Sequence, residues 1–89
     1  MRYRVSKSVL RASLEGEEVL LSTETDQYHV VNATGRAIIA EFDAGRSLEE
    51  AVETLVADSG QPADKVRREV AEFVQALLSR GLLEAADQA

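Results

Sequence analysis

Tyr28-His29-Val30-Val31-Asn32-Ala33-Thr34-Gly35, continued through Gly45-Arg46-Ser47-Leu48-Glu49-Glu50-Ala51 to Leu55, reads as a short strand, a helix, a glycine stop and a second helix. Aromatic and β-branched residues at 28–31 favour an extended backbone, and Asn32 to Gly35 interrupts it. Thr34 is a suitable N-cap for a helix over residues 36–42, because its hydroxyl can accept from a free N–H of the first turn. Gly45 then ends that helix. Ser47 and Glu50 stand at the spacing at which each side chain satisfies the other's backbone N–H, so a second helix begins at Leu48. It should run to about residue 58, with Leu48, Ala51, Val52, Leu55 and Val56 on one face.

Two further strands are expected before this unit, over 9–14 and 18–22. Glu15-Gly16-Glu17 joins them, and Glu24-Thr25-Asp26 leads into the strand at Tyr28. Three consecutive antiparallel strands make a meander whose first and last members are edges, so one side of 28–31 offers unpaired N–H and C=O groups. After the second helix, Ser59-Gly60-Gln61-Pro62 breaks the chain, and Pro62 suits the first turn of a third helix reaching about residue 80. Gly81 is placed to close that helix in the left-handed conformation, with Leu82 packing back on its last turn. Phe73, Val66, Leu77, Val70, Val74 and Leu78 span roughly 140° of it at about 100° per residue. That width fits either a core using the whole stripe or a groove along one flank, for which Val74 lies toward the margin.

At 89 residues the chain makes one domain with little volume for a deep cavity, and a shallow surface is easier to build. It has no cysteine, hence no disulfide, thiolate nucleophile or Cys-rich metal site. His29 is its one histidine, which excludes a His-rich metal site and favours the reading of a partly exposed strand side chain. The acids Glu15, Glu17 and Glu18 lack the ordered ligand spacing of a hard-cation loop and read as a solvated turn. No phosphate-binding glycine pattern occurs. The formal charge of −6 opposes attraction to nucleic acid and favours a basic or neutral partner. No apolar run reaches the ~20 residues of a membrane span, and the first residues do not form a signal peptide, so the expected location is cytoplasmic. Strands with three helices also suit a winged-helix DNA-binding module. The third helix, however, mixes Arg67, Arg68 and Arg80 with Glu69 and Glu72 and forms no basic stripe.

The order Tyr28-x-x-Val31-Asn32-x-Thr34-Gly35, then Gly45-Arg46-Ser47-Leu48-Glu49-Glu50-Ala51, then Arg80-Gly81-Leu82-Leu83 resembles the PqqD-like family of peptide-recognition domains over nearly the whole chain. Val31, where a leucine is commoner, and Phe42-Asp43-Ala44-Gly45 depart from its pattern. The expected fold is α+β: a three-stranded antiparallel sheet and three helices in a winged-helix-like arrangement over residues 1–84, with 85–89 a frayed tail. The resemblance implies a cofactor-free, non-catalytic domain that binds the leader of a ribosomal precursor peptide by strand addition. The standalone lasso-peptide proteins look nearest, with a leader peptidase and a cyclase as partners. The alternative within the family is the peptide chaperone of pyrroloquinoline quinone biosynthesis. By the same resemblance the peptide lies along Asp26, Gln27, Tyr28, His29, Val30, Val31 and Asn32, against the third helix at Val66, Arg67, Val70 and Val74. Strand side chains alternate, so only one of the pairs Tyr28/Val30 and His29/Val31 can face that helix.

Overall fold

The computed structural model describes residues 1–86. Its order is β1 (Tyr3–Val5), β2 (Val9–Leu14), β3 (Glu17–Ser22), β4 (Tyr28–Val31), α1 (Ala33–Asp43), α2 (Leu48–Ser59), α3 (Ala63–Ser79) and β5 (Leu83–Ala85). Strands β2, β3 and β4 form the expected antiparallel meander, with β2 and β4 at its edges. The fold is thus α+β, three helices on a three-stranded sheet. The β2–β3 loop is two residues, Glu15 and Gly16, both at positive φ (51° and 85°). That is the combination a tight hairpin turn needs to match strand twist. Glu17 therefore belongs to the strand rather than to the turn. Arg36 donates to the Gly16 carbonyl and ties this hairpin to α1.

A second sheet, β1 paired antiparallel with β5, was not legible in the sequence. Each strand has three residues, too few for a period of two to emerge. What holds them is tertiary: Tyr3 packs against Phe42 with ring centroids 5.6 Å apart, Leu83 is buried, and Arg4 meets Glu84 at 2.6 Å. Ala85, expected in a frayed tail, is the last residue of β5, and the Ala86 N–H donates to Arg2. The rest of that tail, residues 87–89, lies outside the described residues.

The first helix starts earlier than Thr34 suggests. Asn32 is extended and its Oδ1 accepts from the Gly35 N–H at 2.8 Å, so Asn32 is the N-cap and Thr34 lies within the first turn. Asparagine is at least as good a cap as threonine, and it stands directly after the strand. The second helix has the expected reciprocal cap between Ser47 and Glu50 (2.8 and 3.1 Å). Pro62, expected in the first turn of the third helix, is instead its N-cap, with an extended backbone (φ −58°, ψ 139°), and the helix begins at Ala63 and ends as expected. Gly81 has φ 72°, the Leu82 N–H reaches the Leu77 carbonyl at 2.9 Å and the Gly81 N–H reaches Leu78 at 3.1 Å, closing the last turn. Leu82 is fully buried.

The core lies between the inner face of the meander and the helices. Leu20 and Val31 come from the sheet, Ile38, Ile39 and Phe42 from α1, Ala51 and Val52 from α2, and Val66, Val70, Val74 and Leu77 from α3. Gly35, which looks like loop punctuation in the sequence, is a buried packing residue of α1. A Cβ there would lie 2.7 Å from Phe73 Cε1 and 2.7 Å from Val31 Cγ1, so its lack of a side chain lets α1, β4 and α3 converge.

Candidate functional site

Ladder alternation decides which groups of β4 are free. The Ser22 N–H donates to the Gln27 carbonyl at 2.8 Å. Pairs exchanging backbone bonds alternate with pairs that do not. In the register Leu21↔Tyr28, Leu20↔His29, Val19↔Val30 and Glu18↔Val31, His29 and Val31 are therefore bonded to β3. Tyr28 and Val30 direct their N–H and C=O groups away from the sheet, on its open edge.

That edge is held beside α3. Ser22 is fully buried, and its Oγ accepts from the N–H groups of Glu24 and Thr25 at 3.3 Å each. Asp26 takes positive φ (58°), and its N–H closes on the Ser22 carbonyl at 3.0 Å. Thr25 Oγ1 donates to the Arg80 carbonyl at 3.1 Å, joining the β3–β4 loop to the end of α3. Along this edge a cleft opens, consisting of two adjoining hollows that share His29. Its lower end is lined by Asp26, Gln27, Tyr28, His29, Val30 and Arg80. Its upper end is formed by His29, Asn32 and Thr34 with Glu69, Glu72, Phe73 and Ala76 of α3.

Side-chain alternation separates two faces. Val31 is fully buried, and His29 lies edge-on to Phe73 with centroids 6.0 Å apart. This pair faces α3. Tyr28 and Val30 stand on the outer sheet face, 64% and 48% exposed, beside Leu21 and Leu10. The His29 imidazole is held below its ordinary pKa by burial and then by the positive Arg80, whose Nη1 lies 2.7 Å from Nδ1. An imidazole facing a guanidinium at that distance is the acceptor, so the ring is neutral with its proton on Nε2.

The structure brings together six of the sequence-predicted residues at the cleft: Asp26, Gln27, Tyr28, His29, Val30 and Asn32. Val31 sits in the core immediately behind it. The helical residues lie elsewhere. Val74 is 2% exposed and belongs to the core, so it is no margin of the apolar stripe. Val66 and Val70 are core residues that line a separate groove with Ala37, Ile38 and Leu55. Arg67 is exposed and paired with Asp64 at 3.3 Å. The wall facing β4 is the other flank of α3, with Glu69, Glu72, Phe73, Ala76 and, past the helix end, Arg80. At about 100° per residue these positions fall on one side of Phe73 and Val74 on the other. Apolar counting follows the buried flank, and the polar wall carries no apolar signal beyond Phe73 itself.

Residues 17–83 match the family described as Coenzyme PQQ synthesis protein D (PqqD). The chain belongs to the PqqD family. Two solved structures share its architecture. One, "TbiB1 in Complex with the TbiA(beta) Leader Peptide", is 29% identical with a TM-score of 0.83, over 96% of this chain and 99% of that one. The other, "Lasso peptide synthetase B1 complexed with the leader peptide", is 20% identical with a TM-score of 0.85, over 94% and 99%, and bears on the fold alone. No curated protein matches the chain. Within this PqqD domain no helix among the described residues is long and apolar enough to cross a membrane.

Proposed function

We propose that this PqqD-family domain binds the leader region of a ribosomally made precursor peptide, without catalysing a reaction on it. The leader adds as a fourth strand to the free edge of β4, and the domain then delivers the precursor to a leader peptidase and a cyclase of lasso-peptide biosynthesis in the cytoplasm. The observation that carries this reading is the open edge at Tyr28 and Val30, set beside a cleft walled by Phe73 and Ala76. Unpaired strand groups are a template for another extended chain. Backbone bonds supply affinity that is indifferent to sequence, and side chains dropping into the cleft at alternate positions supply selectivity. The 29%-identical structure, itself a complex with a leader peptide, supports the same assignment.

In this account Asp26, Gln27, Tyr28, His29, Val30 and Asn32 contact the peptide, joined by Glu69, Glu72, Phe73, Ala76 and Arg80. Val31, Val66, Val70 and Val74 hold the cleft from the core, and Arg67 has no part in it. A cross-strand neighbour shares the face of the residue opposite, so the leader residues beside His29 and Val31 point at α3. Those beside Tyr28 and Val30 extend the apolar outer face. A DNA-binding role is disfavoured, because Glu69 and Glu72 would meet phosphate on the accessible flank of the third helix.

Calorimetric titration with synthetic leader peptides tests the proposal. A lasso precursor leader should bind with micromolar or tighter Kd, on the order of −8 kcal/mol, and duplex DNA should cause no gel shift at physiological salt. Binding of a quinone-cofactor precursor in its place would move the assignment to the pathway for which the family is described. At limiting precursor, the domain should accelerate a partner peptidase by raising local substrate concentration. Equal rates with and without the domain would defeat the delivery step.

A further inference from the structure

We propose that Arg80 is a specificity-determining residue of the cleft, reading an aspartate or glutamate on the leader residue that lies opposite Gln27 or His29. This rests on the strand-addition reading above. The guanidinium stands at the end of the cleft formed by Asp26, Gln27, Tyr28, His29 and Val30. Its backbone is fixed, since the Arg80 carbonyl accepts from Thr25 Oγ1 at 3.1 Å and its N–H reaches Leu77 at 3.3 Å. Its side chain is aimed as well, by one N–H donated to His29 Nδ1 at 2.7 Å. A guanidinium carries five N–H donors in a planar fork, so a neutral imidazole accepting one leaves donors open for a carboxylate.

The ion pairs of the domain underline the point. Arg4, Arg11, Arg46 and Arg67 each hold a carboxylate within 3.3 Å. Arg80, like Arg36 and Arg68, has none among the described residues, and of these three it is the one that lines the cleft. Asp26 lines the same end of the cleft without closing an ion pair on it. While the edge is open, water solvates this cation. A strand laid on β4 would cover it, and a charge stripped of water without a counter-ion is strongly disfavoured. Gln27 and His29 share a face, so a peptide residue opposite either one projects toward Arg80. A carboxylate there would be bonded, an apolar side chain would strand the guanidinium, and a lysine would be repelled. The far end of the cleft has the opposite sign, with Glu69 and Glu72 beside Phe73. The cleft thus reads one acidic position near Arg80, an apolar one at Phe73 and Ala76, and tolerates a base beyond.

The test is selection of displayed random linear peptides on the parent domain, on Arg80→Gln and on Arg80→Glu. The Arg80 side chain is exposed and the bonds at the end of α3 are made by the main chain, so both variants should keep the parent's thermal midpoint. Parent-selected peptides should be enriched in Asp or Glu at one position two or four residues from an apolar anchor, the even spacing that keeps both on the face toward α3. Arg80→Gln should lose that enrichment, and Arg80→Glu should replace it with Lys or Arg. For a selected peptide, Asp→Asn or Arg80→Gln should each weaken binding about tenfold, and the two together no more than either alone. His29 supplies an independent readout as the single imidazole of the chain. Its NMR titration, in a ring set edge-on to Phe73 and lining the hollows with Asp26, Arg80 and Glu72, should move to higher pH on binding the acidic peptide and less with the amide version. Peptides that bind without acidic enrichment, or variants that select the parent's sequences, would overturn the role of Arg80 and leave strand addition standing. Failure of any peptide to be enriched on the folded parent would overturn both.

Discussion

Gly35 is where helix propensity and packing pull in opposite directions, and Gly35→Ala measures which wins. On propensity alone alanine should stabilise a helix by up to ~1 kcal/mol. At this position the new methyl would lie 2.7 Å from both Phe73 Cε1 and Val31 Cγ1, against ~3.5–4.0 Å for an ordinary carbon contact. About 1 Å must be found on each side. Val31 is fully buried and paired with β3, so it cannot yield. Phe73 is half-buried and can swing, but only by leaving its edge contact with His29 and intruding on the cleft. Overpacking of this kind costs ~1–3 kcal/mol, so the net destabilisation should be about 1–2 kcal/mol. For a domain of this size that lowers the thermal midpoint by about 5–15 °C. Leader affinity, measured well below the midpoint, should fall as well, because the displaced ring occupies the peptide's place. A variant that melts at or above the parent and binds leader equally well would refute the convergence of α1, β4 and α3 at this glycine.

Proline at Val30 removes an N–H that points away from the sheet and should abolish leader binding with the circular dichroism spectrum retained, whereas Val31→Pro removes a ladder bond in the core and should unfold the domain. Folded, binding-competent protein from both would place the peptide elsewhere. Ala76→Asp should weaken leader binding by ~1–3 kcal/mol in calorimetry with little change in melting, since the new carboxylate meets the peptide rather than the core. The turn residue Glu15 sits at φ 51°, a conformation asparagine tolerates better, so Glu15→Asn should raise stability by a few tenths of a kcal/mol in urea titration. Because His29 is held below its ordinary 6.5, the unfolded chain takes up a proton more readily than the folded one. Stability should thus be fully present above that value and decline as pH falls toward the folded pKa, and His29→Gln should flatten this part of the urea-midpoint profile. A parent that gains stability on acidification relative to the variant would show that the imidazole is not held neutral.

The elements that could be read from sequence were those stated locally. The cap at Ser47 and Glu50, the glycine at 81 and, to within one residue, the turn at Glu15-Gly16 each involve residues within a few positions of one another, and local chemistry fixes them whatever surrounds them. The paired strands β1 and β5 are the contrary case, since each is too short to show a period and each exists only because a residue about eighty positions away completes it. At the site, strand β4 announced itself, and so did its open edge, because a meander must end somewhere. Its helical partner did not. Counting apolar residues identifies the part of α3 that faces the core, and Val66, Val70 and Val74 obey that rule by being buried. The flank lining a binding cleft has to stay solvated while empty, so it is built of Glu69, Glu72, Ala76 and Arg80, whose types read as ordinary surface. Only Phe73, on the boundary, belongs to both descriptions.

The central claim is that a leader peptide pairs with the open edge of β4, and amide hydrogen exchange on that strand tests it residue by residue. In the free domain His29 and Val31, bonded to β3, should exchange slowly, and Tyr28 and Val30 should exchange fast. Saturating leader peptide should slow Tyr28 and Val30 selectively, in that alternating pattern, with no comparable change at Arg11 or Ser13 on the opposite edge of the sheet. Bound peptide that leaves Tyr28 and Val30 exchanging as fast as before, or that protects Arg11 and Ser13 instead, would contradict strand addition at β4.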